Sequence, residues 1–551
     1  MPDRRLAATL VMLGAMSWHP IQAQTDPRAS GGPLPPEQAA YDVRFYDLAV
    51  AVSPDDSSIT GAIVVHADVI APLEAFVLDL DTVFGIIETS IDGTALSHER
   101  RGGQLWISLP HRFDAGERLA VRVAYAGKPR SVRRGGFDGF IWTQTPDGLP
   151  WVTVSCELFG ADLWWPTKDH LSDEPDSMAL NITVERPLVV AANGRLRSVT
   201  ESPAGRTFHW FVSTPINNYG VSLNIAPYVE VVEPYGSVSG DTIPVTFWVL
   251  RQNAERARRA LREFFEQMRH LEDLVGPYPF RADKYGLAET PYLGMEHQTI
   301  IAYGANFRND AMAGIDWGFD GLHQHELAHE WFGNQVTPAA WQDLWLNEAF
   351  AQYAQPLYAE SRIGQQKARE LLAIYRRRVA NRQPVAPRDT LTSRQAYTGD
   401  IYFKGALVLH SLRFLLGDDA FFTMLRRWTY PHPAAAGATG SCQCRLTSTD
   451  ELVLHVNRFA GRRLDWLLEV YVRQAALPRL VSRRTAAELE LTWEVPGGAP
   501  FPMPIDVRIG TVTRRVEMPD GSARIPAREG AEVVIDPDGW VLRAVEPVEP
   551  R

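Results

Sequence analysis

The sequence predicts a multidomain α+β protein with a β-rich N-terminal part, a mainly helical middle part and a small β-rich C-terminal part. At 551 residues the chain is too long for one hydrophobic core, because single cores stop growing at about 250–300 residues. Apolar residues alternate with period two from residue 41 to about 231 and again after Pro478, and they recur at helical spacing in between. We therefore predict an N-terminal β-sheet domain over 41–231, a middle α/β domain over 232–478 and a C-terminal β-sandwich-like domain over 479–551.

Residues 1–23 have the composition of a secretory signal peptide. Two arginines precede an apolar run of 13 residues, Leu6–Trp18, and Ala23 ends a small-residue cleavage site. The run is shorter than the roughly 18 residues that a membrane span needs. We predict cleavage after Ala23, export to the periplasm or outside the cell, and no stable membrane insertion afterwards. The polar residues 24–40, rich in Pro and Gly, are predicted to be a flexible leader.

The elements of the N-terminal and C-terminal parts follow from alternation bounded by turn residues. Turn signals recur about every ten residues in the N-terminal part, a spacing typical of a β-sandwich or a large open sheet. The clearest predicted strands are 62–70, 75–80, 119–124, 180–184, 208–212, 488–493, 505–509 and 533–535.

Helix signals dominate the middle part. Asn253 is suited to an N-cap, and Gly276-Pro277 predicts the end of the helix that it begins. Ser448 is followed three residues later by Glu451, which is the pattern of a capping box. The predicted helices are 253–275, 342–360, 365–381 and 402–416, with two more that begin at Ser448 and Asp465.

Composition and cysteine usage limit the class of protein. A net charge of −11 disfavours a nucleic-acid or anionic-membrane partner, and 45% hydrophobic with 22% charged residues is ordinary for a globular protein. Three cysteines, Cys156, Cys442 and Cys444, are too few for a disulfide framework. Cys442 and Cys444 could form a local bridge, stay reduced or bridge another molecule, and the sequence does not choose.

A His-Glu-x-x-His motif predicts a metal site. His325 and His329 are four residues apart, so on a helix they share one face with Cβ atoms about 5–6 Å apart. Glu348 follows after 18 intervening residues and completes the three protein ligands of a catalytic zinc ion, while Glu326 is placed to act as general base. His323 is turned about 200° around the helix and is not a predicted ligand. The motif predicts a zinc peptidase; the competing interpretation, two semi-buried polar histidines, does not account for Glu348.

Further motifs match a known family over roughly residues 41–478. The matching segments are Ser155-Cys156-Glu157, Leu293-Gly294-Met295-Glu296-His297, His325-Glu326-x-x-His329 with Trp345-Leu346-Asn347-Glu348, and Tyr402-Phe403-Lys404-Gly405. In this combination the chain resembles the aminopeptidase N and leukotriene hydrolase family of zinc exopeptidases, within the gluzincins. The resemblance implies a thermolysin-like catalytic domain behind a saddle-shaped β domain, one Zn²⁺ ion per chain, and release of N-terminal residues from peptides that have a free N-terminus.

The resemblance also implies roles for individual residues. Tyr402 is expected to donate to the oxyanion that forms on the attacked carbonyl. Glu296 and Glu157 are expected to bind the substrate ammonium, which would present the first peptide bond to the metal. Tyr397, close to Tyr402 in sequence, is expected to line the substrate site, and Met295 to contact the substrate.

Two positions of the Leu293–His297 segment depart from the family pattern. Leu293 stands where the family has Gly, and His297 stands where it usually has Asn. If that Asn helps to hold the substrate backbone, His297 is expected to do so with altered pH dependence. Gly294 is expected to allow close backbone approach to the peptide; the alternative is an ordinary turn glycine.

Three other functions compete with the aminopeptidase prediction. An epoxide hydrolase would use the same zinc site, although no elongated apolar channel is recognisable in the sequence. A zinc endopeptidase is disfavoured by Glu296. A catalytically silent peptide-binding member of the family is disfavoured by the complete set of metal and catalytic residues. The preferred N-terminal residue and the oligomeric state cannot be predicted from the sequence.

Overall fold

The structure, a computed structural model, describes residues 29–132, 138–440 and 442–544. The predicted signal peptide, residues 1–23, lies outside the described residues. The described residues form a β-rich N-terminal part, a mixed α/β middle part and a β-rich C-terminal module. The predicted multidomain α+β fold class is confirmed.

Three sheets build the N-terminal part. The eight-stranded sheet has the spatial order Arg195–Ser202, Gly205–Val212, Ser177–Val184, Tyr41–Ser53, Ser58–Val69, Arg118–Gly127, Phe84–Ile91 and Thr94–Ala95. The three-stranded sheet has the order Leu73–Asp79, Gln104–Phe113 and His98–Arg101, and the four-stranded sheet has the order Val189–Ala192, Leu223–Ala226, Pro150–Ser155 and Gly139–Gln144. Every second residue of Ser177–Val184 is buried, so the alternation used for prediction marks the core face. The four-stranded sheet positions Glu157, which follows Pro150–Ser155.

The middle part combines one mixed sheet with most of the helices. Its five strands have the order Val229–Gly236, Thr242–Val249, Tyr285–Glu289, Ile301–Tyr303 and Gly294–Met295. The helices of the described chain are Pro36–Ala39, Ala254–Val275, Gly321–Ala328, Trp345–Arg362, Gln365–Arg378, Ser393–Ala396, Gly399–Leu416, Asp418–Thr429, Thr449–Ala460 and Asp465–Tyr471. A short parallel pair joins Val336–Pro338 to Arg445–Thr447. The predicted boundary between residues 231 and 232 falls inside Val229–Gly236, a strand that belongs by pairing to this sheet.

Helix ends follow the local signals where those signals are strong. Ala254–Val275 begins directly after Asn253, whose side chain makes no capping hydrogen bond and instead donates to Glu289, and it ends at Gly276, whose φ is 113°. Ser448 accepts a hydrogen bond from the backbone N–H of Glu451, as the capping pattern predicts. The helix Asp418–Thr429 was not predicted, because a single residue, a glycine with φ of 80°, separates it from the preceding helix.

Residues 29–40, the described part of the flexible leader predicted over residues 24–40, make specific contacts with the rest of the chain. This segment contains a helical turn, and Ser30 is only 5% exposed. The Ser30 N–H donates to the carbonyl oxygen of Leu158 at 3.2 Å. Proline and glycine disfavour regular helices and strands, but they do not prevent backbone groups from pairing with other segments.

The C-terminal module packs against the middle part. Its two sheets have the orders Arg479–Arg484, Glu488–Glu494, Ser522–Pro526 and Val512–Val516, Ile505–Ile509, Val533–Ile535. Trp540 stacks on His410 of Gly399–Leu416 with ring centroids 4.4 Å apart. Cys442 and Cys444 form a disulfide, and Cys156 is a buried thiol. Within the described ranges, no helix has both the length and the apolar character that crossing a bilayer requires.

Candidate active site

Three side chains from two helices meet at one point in the middle part. His325 lies in Gly321–Ala328, His329 ends that helix, and Glu348 lies in the first turn of Trp345–Arg362. The Nε2 atoms of His325 and His329 are 3.2 Å apart, and Glu348 Oε2 lies 3.4 and 3.6 Å from them. A tetrahedral zinc ion with ligand distances of about 2.0–2.1 Å separates its ligand atoms by roughly 3.3 Å. The three atoms therefore have the spacing of zinc ligands.

The protonation of these residues also fits a cation. Burial lowers the pKa of His325 to about 4 and lowers the pKa of His329, so both rings are neutral at pH 7. His329 Nδ1 lies 3.1 Å from the carbonyl oxygen of Phe332; because a carbonyl only accepts, Nδ1 holds the proton and Nε2 has a free lone pair. Glu348 Oε2 is buried and has no hydrogen-bond partner among the described residues. A cation satisfies lone pairs and a carboxylate oxygen that converge in this way.

Glu326 lies beside the two histidines on the same helix. Three possible metal-ligand atoms, one each from Glu326, Glu296 and His329, lie within 4.8 Å of one another. Burial raises the pKa of Glu326, and the charges of Glu296 and Glu348 raise it further. A carboxylate with a raised pKa, held next to the metal ligands, has the position and the proton affinity that a general base needs.

Gly294 lies against the Glu326 carboxylate. A Cβ atom built on Gly294 would stand 2.6 Å from Glu326 Oε1 and 2.7 Å from Leu322 Cδ1. Gly294 is in the short edge strand Gly294–Met295, which pairs with Ile301–Tyr303. The absence of a side chain here leaves room for the carboxylate of Glu326. This is a second reason for glycine at position 294, besides the predicted close approach of the backbone to the peptide.

Glu157 and Glu296 come from different parts of the chain and meet beside Glu348. One carboxylate oxygen of each lies within 4.8 Å of the others, and the three residues are between 1% and 4% exposed. Burial raises the pKa of Glu157, and the charges of Glu296 and Glu348 add to this effect. Buried carboxylates in such proximity need cations or protons. A metal ion on Glu348 leaves Glu157 and Glu296 able to bind a second cationic group.

Tyr219 is a site residue that the sequence analysis did not identify. Its hydroxyl donates to Glu296 Oε1 at 3.2 Å and accepts from Asn347 Nδ2 at 3.2 Å. Asn334 Nδ2 donates to the carbonyl oxygen of Glu296 at 2.9 Å. Glu296 is therefore held at its side chain and at its backbone, and Tyr219 connects it to the residue before Glu348.

Tyr402 and Tyr397 form a hydroxyl pair at the metal site. Tyr402 lies in the first turn of Gly399–Leu416, and its hydroxyl is 2.5 Å from the Tyr397 hydroxyl. The Tyr402 ring is stacked on the His325 ring, with centroids 6.0 Å apart and planes 20° apart. Burial raises the pKa of both tyrosines, and for Tyr402 the charge of Glu348 raises it further. Both hydroxyls remain protonated at neutral pH and can donate hydrogen bonds.

The remaining candidates are buried around this cluster. Met295 is 2% exposed in the edge strand, and His297 follows it with no exposure. Neither ring nitrogen of His297 has a hydrogen-bond partner among the described residues, and burial lowers its pKa to about 3. His323 is not among the three converging ligands, as predicted, and it is fully buried. Its Nε2 lies 2.5 Å from the Tyr285 hydroxyl, and its ring stacks on Phe264.

Comparisons with known proteins agree with this geometry. Residues 269–460 match the peptidase family M1 domain. The chain is 24% identical to endoplasmic reticulum aminopeptidase 1 of Homo sapiens, over 61% of this chain and 37% of that protein. It is 27% identical to probable aminopeptidase 1 of Saccharolobus solfataricus, over 50% of this chain and 34% of that protein. The chain therefore spans little more than a third of the length of these two relatives.

Solved structures match a larger share of this chain than the two relatives above do. The crystal structure of an M1 zinc metallopeptidase from Deinococcus radiodurans has a TM-score of 0.67 and 27% identity, covering 80% of this chain and 95% of that chain. A mutant of the same enzyme bound to a Tyr-Ser-Ala substrate has a TM-score of 0.64. In fold and in the geometry of the candidate site, the chain is therefore similar to M1 zinc metallopeptidases.

Proposed function

We propose that the protein is a zinc-dependent aminopeptidase that releases N-terminal residues from peptides. The observation on which this proposal rests is the group of three buried carboxylates, Glu157, Glu296 and Glu348, with one oxygen of each within 4.8 Å of the others. Glu348 is needed for the metal. The other two are spaced to bind a free α-ammonium group, which places the first peptide bond next to the metal.

In the proposed reaction, the metal ion and the protein side chains have separate roles. His325, His329 and Glu348 would hold one zinc ion per chain, which would supply the Lewis acidity that acidifies a water molecule and polarises the scissile carbonyl. Glu326 accepts the proton of the attacking water and delivers it to the leaving nitrogen. The Tyr402 hydroxyl donates to the carbonyl oxygen as negative charge develops on it.

The related proteins support the same function. Two of the relatives described above are named aminopeptidases, and the Deinococcus radiodurans enzyme was solved with a tripeptide substrate. We also propose that the protein acts outside the cytoplasm, in the periplasm or the medium, because residues 1–23 have the composition of a signal peptide. Fractionation of the native producing cells tests the location, and recovery of the protein only in the cytoplasm would contradict it.

The decisive assay compares aminoacyl-arylamides with their N-acetylated forms, in zinc-loaded protein and after chelation. We expect zinc-dependent release from the free-amine substrates and a much lower rate on the blocked ones. A Glu296→Gln variant is expected to retain zinc and to lose most of the preference for a free amine. Equal rates on blocked and unblocked substrates would indicate an endopeptidase. Absence of zinc-dependent release from every unblocked substrate would refute the aminopeptidase function.

A further inference from the structure

Residues Ser30–Gly32, which we call the N-terminal clasp, join two segments that flank the candidate site. Ser30 donates to the carbonyl oxygen of Leu158 at 3.2 Å and accepts from the backbone N–H of Ser393 at 2.9 Å. Gly31 forms a bridge with Thr392, and Gly32 donates to the carbonyl oxygen of Leu391 at 3.3 Å. The clasp therefore pairs with the loop after Glu157 and with the turn before Tyr397.

A third contact connects the clasp to Glu296. The Trp341 Nε1–H donates to Ser30 Oγ at 3.3 Å, and Trp341 is 1% exposed. The Trp341 ring lies 5.8 Å from the Tyr219 ring, whose hydroxyl binds Glu296. Gly31 has a φ of +86°, and a Cβ atom on it would stand 2.1 Å from Trp341 Cδ1. Only a glycine lets the clasp lie this close to the tryptophan.

The two flanking segments also contact each other directly. Ser393 Oγ donates to the carbonyl oxygen of Leu158, and the Arg394 guanidinium lies 4.1 Å from the centroid of the Phe159 ring. Leu158 is the residue after Glu157, and Ser393–Ala396 is the short helix directly before Tyr397. Together with the contacts of the clasp, these contacts connect the parts of the chain that bear Glu157, Glu296 and Tyr397.

We infer that the N-terminal clasp is a positioning element for the substrate-binding residues: by joining the Glu157 loop, the Tyr397 turn and Trp341, it sets the distance between the carboxylates that bind the substrate ammonium. This inference rests on the proposed aminopeptidase function. Among the described residues, no hydrogen bond joins the clasp to His325, His329, Glu348 or Glu326, so its loss is expected to affect substrate binding more than the chemical step.

Two adjacent glycines provide a matched pair of variants. Gly31→Ala adds a methyl group that overlaps the buried Trp341 ring, which is expected to lift the clasp. Gly32→Ala is the control, because Gly32 has nearly the same φ, +87°, but its Cβ would meet only Thr392 Cγ2 at an ordinary 3.8 Å. Both variants place alanine at nearly the same positive φ and keep every backbone N–H, so a difference between them reports the contact with Trp341.

Steady-state kinetics, metal content and hydrogen exchange measure the outcome. For Gly31→Ala we expect KM for an aminoacyl-arylamide to rise on the order of tenfold, kcat to fall by less than about threefold, and zinc content to stay unchanged. The Ser393 amide, whose acceptor is in the clasp, is expected to lose exchange protection in Gly31→Ala and to keep it in Gly32→Ala. A purely structural role would lower the melting temperature without raising KM.

Several results would overturn the inference. One is a Gly31→Ala protein whose Ser393 amide has lost protection from hydrogen exchange but whose KM equals that of the wild type. Another is a rise in KM that is equally large in Gly31→Ala and Gly32→Ala. Retained Ser393 protection in Gly31→Ala would show that Gly31 does not hold the clasp. If Gly31→Ala does not fold, deletion of residues 1–32 removes the clasp without a clash, and an unchanged KM then overturns the inference.

Wild-type protein without zinc-dependent release would refute the proposed function instead, and the exchange data would still show whether the clasp is docked.

Discussion

Gly294→Ala tests whether Glu326 is the general base in the position that the structure gives it. The added Cβ would lie 2.6 Å from Glu326 Oε1, about 0.8 Å short of ordinary contact, and 2.7 Å from Leu322 Cδ1. Leu322 and Glu326 lie on the buried helix that also bears both histidine ligands. The helix cannot withdraw without moving the metal site, so we expect the Glu326 carboxylate to be displaced. A misplacement approaching 1 Å costs on the order of 100-fold in rate.

The assay is kcat/KM on an aminoacyl-arylamide, together with zinc content and melting temperature. We expect a loss on the order of 100-fold, mainly in kcat, in folded protein that retains its zinc. Gly399→Ala is the matched control, because a Cβ there meets nothing within 4 Å although Gly399 begins the helix of Tyr402. The reasoning fails if Gly294→Ala retains kcat/KM within about threefold of the wild type.

Further predictions concern three other residues. Glu326→Gln is expected to lower kcat by about 10²- to 10⁴-fold with zinc content unchanged, and loss of the metal in this variant would assign Glu326 a structural role. Tyr219→Phe removes the hydroxyl that donates to Glu296. Because hydrogen bonds to charged groups contribute about 1.5–3 kcal/mol, KM for free-amine substrates should rise roughly tenfold or more. An unchanged KM would contradict this prediction. Burial lowers the pKa of His297 to about 3, so the folded state keeps it neutral while the unfolded state takes up a proton below about pH 6.5. Stability is therefore lost as the pH falls, and His297→Asn should reduce that loss by about 2 kcal/mol at pH 5, as measured by urea unfolding at pH 5 and 8; equal pH dependence in both proteins would contradict the burial argument.

The metal ligands could be predicted because their geometry is mostly local. His325 and His329 share a helix face by spacing alone, and Glu348 lies near the start of the next helix. The structure brings these three residues together with Glu326, Glu296, Glu157 and Tyr402. The strands predicted at 505–509 and 533–535 have the same bounds in the structure, because alternation with clear turn residues is also a local signal.

The sequence could not show features that depend on distant contacts. Tyr219 lies in a turn without a characteristic spacing, and only the folded chain places its hydroxyl on Glu296. The clasp has the composition of a disordered segment, but its hydrogen-bond partners are more than a hundred residues away in the chain. For Gly294 the sequence suggests either close approach to the peptide or a turn glycine, and only the folded chain shows that a side chain there would meet Glu326.

The contact between Trp540 and the helix of Tyr402 has a consequence for the order in which the candidate site is assembled. His410 and Phe414 on the outer part of that helix stack against Trp540, and Ser411 Oγ binds the backbone of Trp540 and Leu542. Ribosomes make these residues long after Tyr402, because synthesis runs from the N-terminus. Until they are made, the helix that bears Tyr402 lacks part of its packing. The candidate active site therefore gains its full support only after Trp540 has been synthesised and has packed onto this helix.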